Sequence, residues 1–160
     1  MGRSSQRWTS AVVSPVCAAT RLISAVARAT ALSQALDRND FVEAAMWIAT
    51  DCVYDVRGDA IVGSAAILAS YADTATWVEK VFDEVRHESV VEEPVEGDTA
   101  RVLYTDYLMK VPGQWHRHRC RQHLTVGTEG RVVKIVHEDL PGENESLERY
   151  FEACGIVQPE

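Results

Sequence analysis

Asp55 stands where a carboxylate could do acid–base work. It ends a short strand pattern, Asp51-Cys52-Val53-Tyr54-Asp55-Val56, which follows helical patterns and an acidic turn and precedes another helix opening at Gly63-Ser64-Ala65. A carboxylate at the end of a first strand, with helices before and after it, can point into the mouth of a cone made by a curved sheet. Desolvation there would raise its pKa and suit it to moving protons. The plainer reading is that Asp55 starts the turn Arg57-Gly58-Asp59, a common use of Asp.

Further candidates lie toward the C-terminus. Strand alternation places Val133, Ile135, His137 and Asp139 on one face, and the two apolar members imply that this face is buried. His137 and Asp139 could then join Asp55 at a pocket as proton partners, the alternative for His137 being a satisfied structural histidine. If Gln122 faces the cavity, His118, Cys120 and Leu124 share its side, so that Gln122 or His118 could polarise a substrate oxygen. Arg117, Arg119, Arg121 and His123 then face away, as an anion site or as a ladder against Glu84, Glu88 and Glu92. No glycine-rich phosphate loop accompanies them, which favours the ladder. His116-x-His118 has the parity of a zinc-binding strand. His123 has the wrong parity to join them, and no metal is expected. Trp47, Tyr54, Trp77, Tyr104, Tyr107 and Trp115 could line an apolar pocket, although most are more simply core residues. Of these, Tyr54, Trp47 and Tyr107 are taken with His118 and Gln122 as substrate contacts.

The elements that must position these groups divide the chain in two. Leu22, Ile23, Val26, Ala29, Leu32 and Leu36 recur at helical spacing. Asp40 caps a second helix over 41–49, with Glu43 completing a capping-box variant. Ser64 caps a third through Tyr71, and Thr74 or Thr76 starts a last turn carrying Trp77 and Val81. From Phe82 the period changes to two. Strands are expected over 82–93, 99–111, 115–126 and 131–139, with turns at 94–98, Pro112-Gly113 and 127–130. A short helix from Glu145 to Cys154 stops at Gly155. Helices first and an antiparallel meander afterwards indicate α+β, with three N-terminal helices against a strongly curved sheet.

The 160 residues suit one domain. Residues 1–20 read as a poorly structured extension, a leader-like composition being the alternative, and 21–156 as the domain. Residues 1–36 hold four arginines and no acid. The remainder sets 12 Lys and Arg against 24 acids, an excess of 12 negative charges that repels nucleic acid and anionic lipid. No uncharged run is long and apolar enough to span a bilayer. Cys17, Cys52, Cys120 and Cys154 form no CxxC and point to a reducing, cytoplasmic setting.

From about Leu22 to Leu140 the chain resembles the nuclear transport factor 2-like superfamily, and within it the SnoaL-like and ketosteroid-isomerase-like branch. The segments that carry the resemblance are Ala35-Leu36-Asp37-Arg38-Asn39-Asp40-Phe41, Thr50 to Asp55, Val62 to Ile67 and Gly130 to Asp139. The resemblance implies a cone-shaped fold enclosing a pocket, and a homodimer formed through the sheet face away from the helices. It also puts Asp55 where ketosteroid isomerases keep their general base. The isomerase tyrosine position is Ala31 here, and the protonated aspartate position falls near Gln122, so a dienolate would lack its phenol donor. Asp139 matches a catalytic acid of SnoaL-like cyclases. The implied function is cofactor-independent isomerisation, cyclisation or dehydration of a small apolar, polyketide- or steroid-like carbonyl compound. A non-catalytic ligand-binding or dimerisation module, or an accessory subunit of a larger enzyme, is the alternative.

Overall fold

The computed structural model of the protein describes residues 15–111 and 114–159. The extension expected over residues 1–20 lies outside them as far as residue 14. Helix α1 runs Pro15–Asp37, α2 Phe41–Trp47, α3 Ser64–Val81 and α4 Glu143–Cys154. The strands are β1 Ile48–Val56, β2 Asp59–Val62, β3 Glu84–Glu96, β4 Thr99–Val111, β5 Gln114–Val126 and β6 Val132–Asp139. They form one mixed six-stranded sheet in the order β2-β1-β6-β5-β4-β3, open at both edges. The meander β3 to β6 is antiparallel, as its short turns require. Among the described residues only β1 and β6 pair in parallel, because the chain must return to β1 after the whole meander.

Alanines make α1 a close-fitting lid on the sheet. Ala25, Ala29, Leu32 and Ala35 are buried against Ile48, Cys52, Ile67, Val102, Leu124 and Ile135. Each fully buried Leu or Ile contributes about 1.5–3 kcal/mol, so this layer is the main source of stability. A second cluster of Phe82, Leu108 and Phe151, with Trp77 and Leu147, fastens α4 to the other end of the sheet. Among the described residues no helix is long and apolar enough to cross a membrane.

Four local expectations need correction. Helix α2 stops at Trp47 because Ile48 is taken into β1, where it pairs with Val132. The cap of α3 is Gly63 at φ 94°, and Ser64 makes no capping bond. Thr74 and Thr76 do not start a turn: their hydroxyls bond back to the Ser70 and Ala72 carbonyls, and α3 runs on unbroken. Val133 does not share the face of Ile135 and His137. The register slips between the pairs Thr125–Lys134 and Val126–Val132, so β6 carries one extra residue there. Val132 is therefore buried at 0% exposure, while Val133 is 37% exposed.

The β1–β2 hairpin has a two-residue turn with Arg57 at φ 55° and Gly58 at φ 89°. A non-glycine residue in this region costs about 1–2 kcal/mol. Arg57 is held there by two bonds to Asp139, Nε to Oδ2 at 2.5 Å and a second guanidinium nitrogen to Oδ1 at 2.6 Å.

Candidate active site

A cavity of about 380 Å³ lies between the sheet and helices α1, α3 and α4, within the size range of small-molecule sites. Trp77, Val78, Phe82, Leu108, Leu147 and Phe151 supply apolar wall, and the inward residues of β1, β3, β4, β5 and β6 form a polar floor. Strand register sorts that floor into cross-strand rows. His87, Asp106 and His118 lie side by side on β3, β4 and β5. Ser89, Tyr104 and Cys120 follow, and then Val91, Val102, Gln122 and His137.

At the deep row Gln122 donates to the Tyr54 hydroxyl at 2.9 Å and accepts from the Tyr71 hydroxyl at 3.2 Å. The rings of Tyr54 and Tyr71 stack at 5.6 Å. The Tyr54 and Tyr71 hydroxyls also hydrogen-bond to each other, so the Tyr54 hydrogen reaches a ligand oxygen by turning from Tyr71. Burial pushes the Tyr54 phenol up to about 12, so it stays a donor at neutral pH. Beside Gln122, His137 shares Nε2 with Asp139 Oδ1 at 2.9 Å. The Arg57 guanidinium holds the Asp139 carboxyl far below the usual range, so Asp139 is an acceptor. An ionised acceptor at Nε2 keeps the proton there and gives Nδ1 the lone pair. That Nδ1 is buried with no hydrogen-bond partner. Arg57, Asp139 and His137 thus form a chain of hydrogen bonds that ends on an unpartnered imidazole nitrogen.

At the opposite row His87 Nδ1 meets Asp106 Oδ1 at 2.6 Å. This bond raises the His87 pKa against the opposing effect of burial. Ser89 donates to Asp37 Oδ2 at 2.5 Å. Burial raises the Asp37 pKa more than this bond lowers it. Burial also pushes the Cys120 thiol up to about 12, which leaves it a wall group rather than a nucleophile.

Of the residues expected at the site, Tyr54, His118, Gln122 and His137 line the cavity together. Asp139 stands one step back, behind His137. Asp55 does not line it: alternation turns Tyr54 inward and Asp55 outward, and Asp55 Oδ1 accepts the Gly58 N–H at 2.9 Å in the hairpin turn. Tyr107 lies between the inward residues Asp106 and Leu108 and therefore faces the other side of the sheet, opposite Arg86 and Arg117. Trp47 packs at the core edge with the Arg28 guanidinium 5.0 Å from its ring centroid. The outward basic row includes a ladder, with Arg121 bonded to Glu92 at 2.5 Å and to Glu138 at 3.2 Å, while Arg119 reaches Glu143 at the start of α4. His116 stacks on Tyr150 at 4.6 Å. Among the described residues no group of three or more His, Cys, Asp or Glu is placed to hold a metal.

Asp37, Tyr71, His87 and Asp106 were not anticipated. The pairing of Asp106 with His118 and with His87 depends on register shifts beside both turns; counted from the Pro112-Gly113 turn alone, His118 would have met Tyr107. Asp37 ends α1, and nothing local marks it as a wall of the cavity.

Solved structures share this architecture. An LEH-like epoxide hydrolase from M. tuberculosis matches with a TM-score of 0.60 at 18% identity, over 82% of this chain and 95% of that one. A Xanthomonas campestris protein named after the polyketide cyclases gives 0.59 at 18% identity, over 82% of this chain and 97% of that one. A Kribbella flavida protein named after the ketosteroid isomerases gives 0.56 at 19% identity, over 78% and 87%. No family model matches the chain, and no curated protein matches it. The strand order and these likenesses together give the chain the nuclear transport factor 2-like fold.

Proposed function

We propose that the protein is a cofactor-independent acid–base enzyme acting on a small, apolar, polyketide- or steroid-like carbonyl compound. The observation that carries this reading is the His137 imidazole, held by Asp139 and Arg57 beside the Tyr54–Gln122–Tyr71 network in a cavity walled by Trp77, Val78, Phe82, Leu108, Leu147 and Phe151. His137 Nδ1 takes a proton from the carbon next to the carbonyl. The C–H electrons form an enolate whose oxygen is held by the Tyr54 hydroxyl. Return of the proton to another carbon is an isomerisation. Attack of the enolate on a second carbonyl, whose oxygen takes the proton back from His137, is a cyclisation, and loss of a β-hydroxyl as water, with that proton, is a dehydration. Asp139 orients the base, a role in place of the acid expected for it, and Asp55 takes no part.

The finer architecture belongs to the same proposal: a domain over residues 21–156, a cone narrowing toward His137, and a homodimer through the sheet face that carries Val90, Tyr107 and Trp115. The unpaired thiols of Cys52, Cys120 and Cys154 support a reducing, cytoplasmic setting.

Proton transfer can be tested without the natural substrate. In D₂O the acetyl protons of 4-acetylbiphenyl should exchange faster with the protein than in buffer, read by proton NMR. His137→Gln should slow that exchange about 100-fold, the usual scale of a general base. Unchanged exchange in His137→Gln would rule out the base. Binding of the ketone, read by Trp77 fluorescence, with no exchange at all would make the protein a ligand-binding module.

A further inference from the structure

The cavity has a second polar end that the proton-transfer reading does not use. Asp37, His87, Ser89, Tyr104, Asp106 and His118 gather there from α1, β3, β4 and β5. Four residue steps along β5 lead from His118 to Gln122, about 13 Å of strand. Some polar atoms of this end are paired, His87 Nδ1 with Asp106 Oδ1 and Ser89 Oγ with Asp37 Oδ2. Two fully buried ones are not: the Tyr104 hydroxyl and His118 Nδ1 have no partner, on residues that line the cavity. A buried polar atom left unpaired costs about 1–3 kcal/mol, which a ligand able to satisfy it recovers on binding.

The chemistry of these groups selects the ligand. Tyr104 has an O–H to give. His118 Nδ1 gives or takes a hydrogen according to its tautomer. A carboxylate or phosphate would meet the Asp37 and Asp106 carboxylates at close range. An ammonium could not accept the Tyr104 hydrogen, and the Asp106 and Asp37 carboxylates able to hold it are already bonded to His87 and Ser89. A neutral hydroxyl both accepts from Tyr104 and donates to His118 or to a carboxylate. We propose that this end is a hydroxyl-binding subsite, so that the substrate is an elongated neutral molecule with its carbonyl at Tyr54 and His137 and an alcohol or phenol at Tyr104 and His118. This assignment rests on the proton-transfer reading for the carbonyl end alone; the hydroxyl end stands on its own geometry.

Rigid rods test it. The affinity of 4-acetyl-4′-hydroxybiphenyl is compared with those of 4-acetylbiphenyl and the 4′-carboxylate and 4′-aminomethyl counterparts, by titration of Trp77 fluorescence. The hydroxyl rod should bind about tenfold tighter than the unsubstituted rod, the worth of one or two good hydrogen bonds. Both charged rods should bind more weakly than the hydroxyl rod. Tyr104→Phe, which removes an unpaired buried hydroxyl and so should fold as well as the wild type, should cut the tenfold ratio to near one. Asp106→Asn should reduce it as well. Equal affinity of the two neutral rods, tighter binding of either charged rod, or a ratio untouched by Tyr104→Phe would overturn the subsite. Equal affinity with acetyl exchange intact removes the subsite alone. A preserved ratio without exchange removes the proton-transfer reading alone, and no binding of any rod removes both.

Discussion

Tyr54 and Asp55 are neighbours with opposite fates, and the difference is one step of strand alternation. Both have plausible chemistry in the sequence. The structure turns Tyr54 into the cavity, where Gln122 bonds it, and leaves Asp55 to accept the Gly58 amide of the hairpin. Asp55→Asn keeps that acceptor oxygen, so exchange of 4-acetylbiphenyl should stay within about twofold of the wild type, a change of under 1 kcal/mol in the barrier. Tyr54→Phe should lower the exchange rate about 100-fold, as for loss of one oxyanion donor, with little loss of ketone binding. A slow Asp55→Asn variant beside a normal Tyr54→Phe variant would restore Asp55 as the base. The sequence placed His137 by alternation within β6 alone; its pairing with Gln122 depends on the register shift at Val133, which lies between the turn and that pair. The reading of Asp55 rested on position along the chain, which does not fix a side-chain direction.

At the scale of elements, two short pieces of backbone build the site. The β1–β2 turn, with Arg57 at φ 55°, delivers a guanidinium to Asp139 from 82 residues away in sequence. Pairing of β3 with β4 brings His87 onto Asp106. This second contact has a consequence for stability. His87 binds its proton more tightly in the folded protein than at its ordinary value of 6.5. Its contribution is therefore fully present below that value and is lost as pH rises through the higher folded value. Asp37 has the same sign, its pKa also being raised, but acts from 3.8 upward and so mostly at lower pH. Urea denaturation should show stability falling between pH 6 and pH 8. His87→Asn should flatten that fall, and an equally steep fall in the variant would remove the His87–Asp106 pair as its cause. The meander itself was legible from period-two patterns and turn residues. The bulge at Val133 was not, because a single extra residue leaves no mark in an alternation of valines.

For the whole molecule, nothing among the described residues covers the part of the outer sheet face around Val90 and Trp115. Val90 is 61% exposed there and Trp115 40% exposed, with Arg86 stacked on the Trp115 ring at 4.8 Å. A homodimer formed through this face should sediment at twice 17.8 kDa at micromolar concentration, and Val90→Asp should return it to a monomer. Sedimentation of the wild type as the single chain would remove the dimer. The sequence by itself determined the α+β class, the four strands of the meander and the common face of His118, Cys120 and Gln122, because periodicity and turn chemistry are local properties. Only the tertiary structure decided which carboxylate serves the cavity. Asp37 and Asp106 line it and Asp139 bonds the His137 imidazole there, through the end of a helix, a strand register and a parallel pairing across the chain, and no local pattern encodes contacts made at such separations.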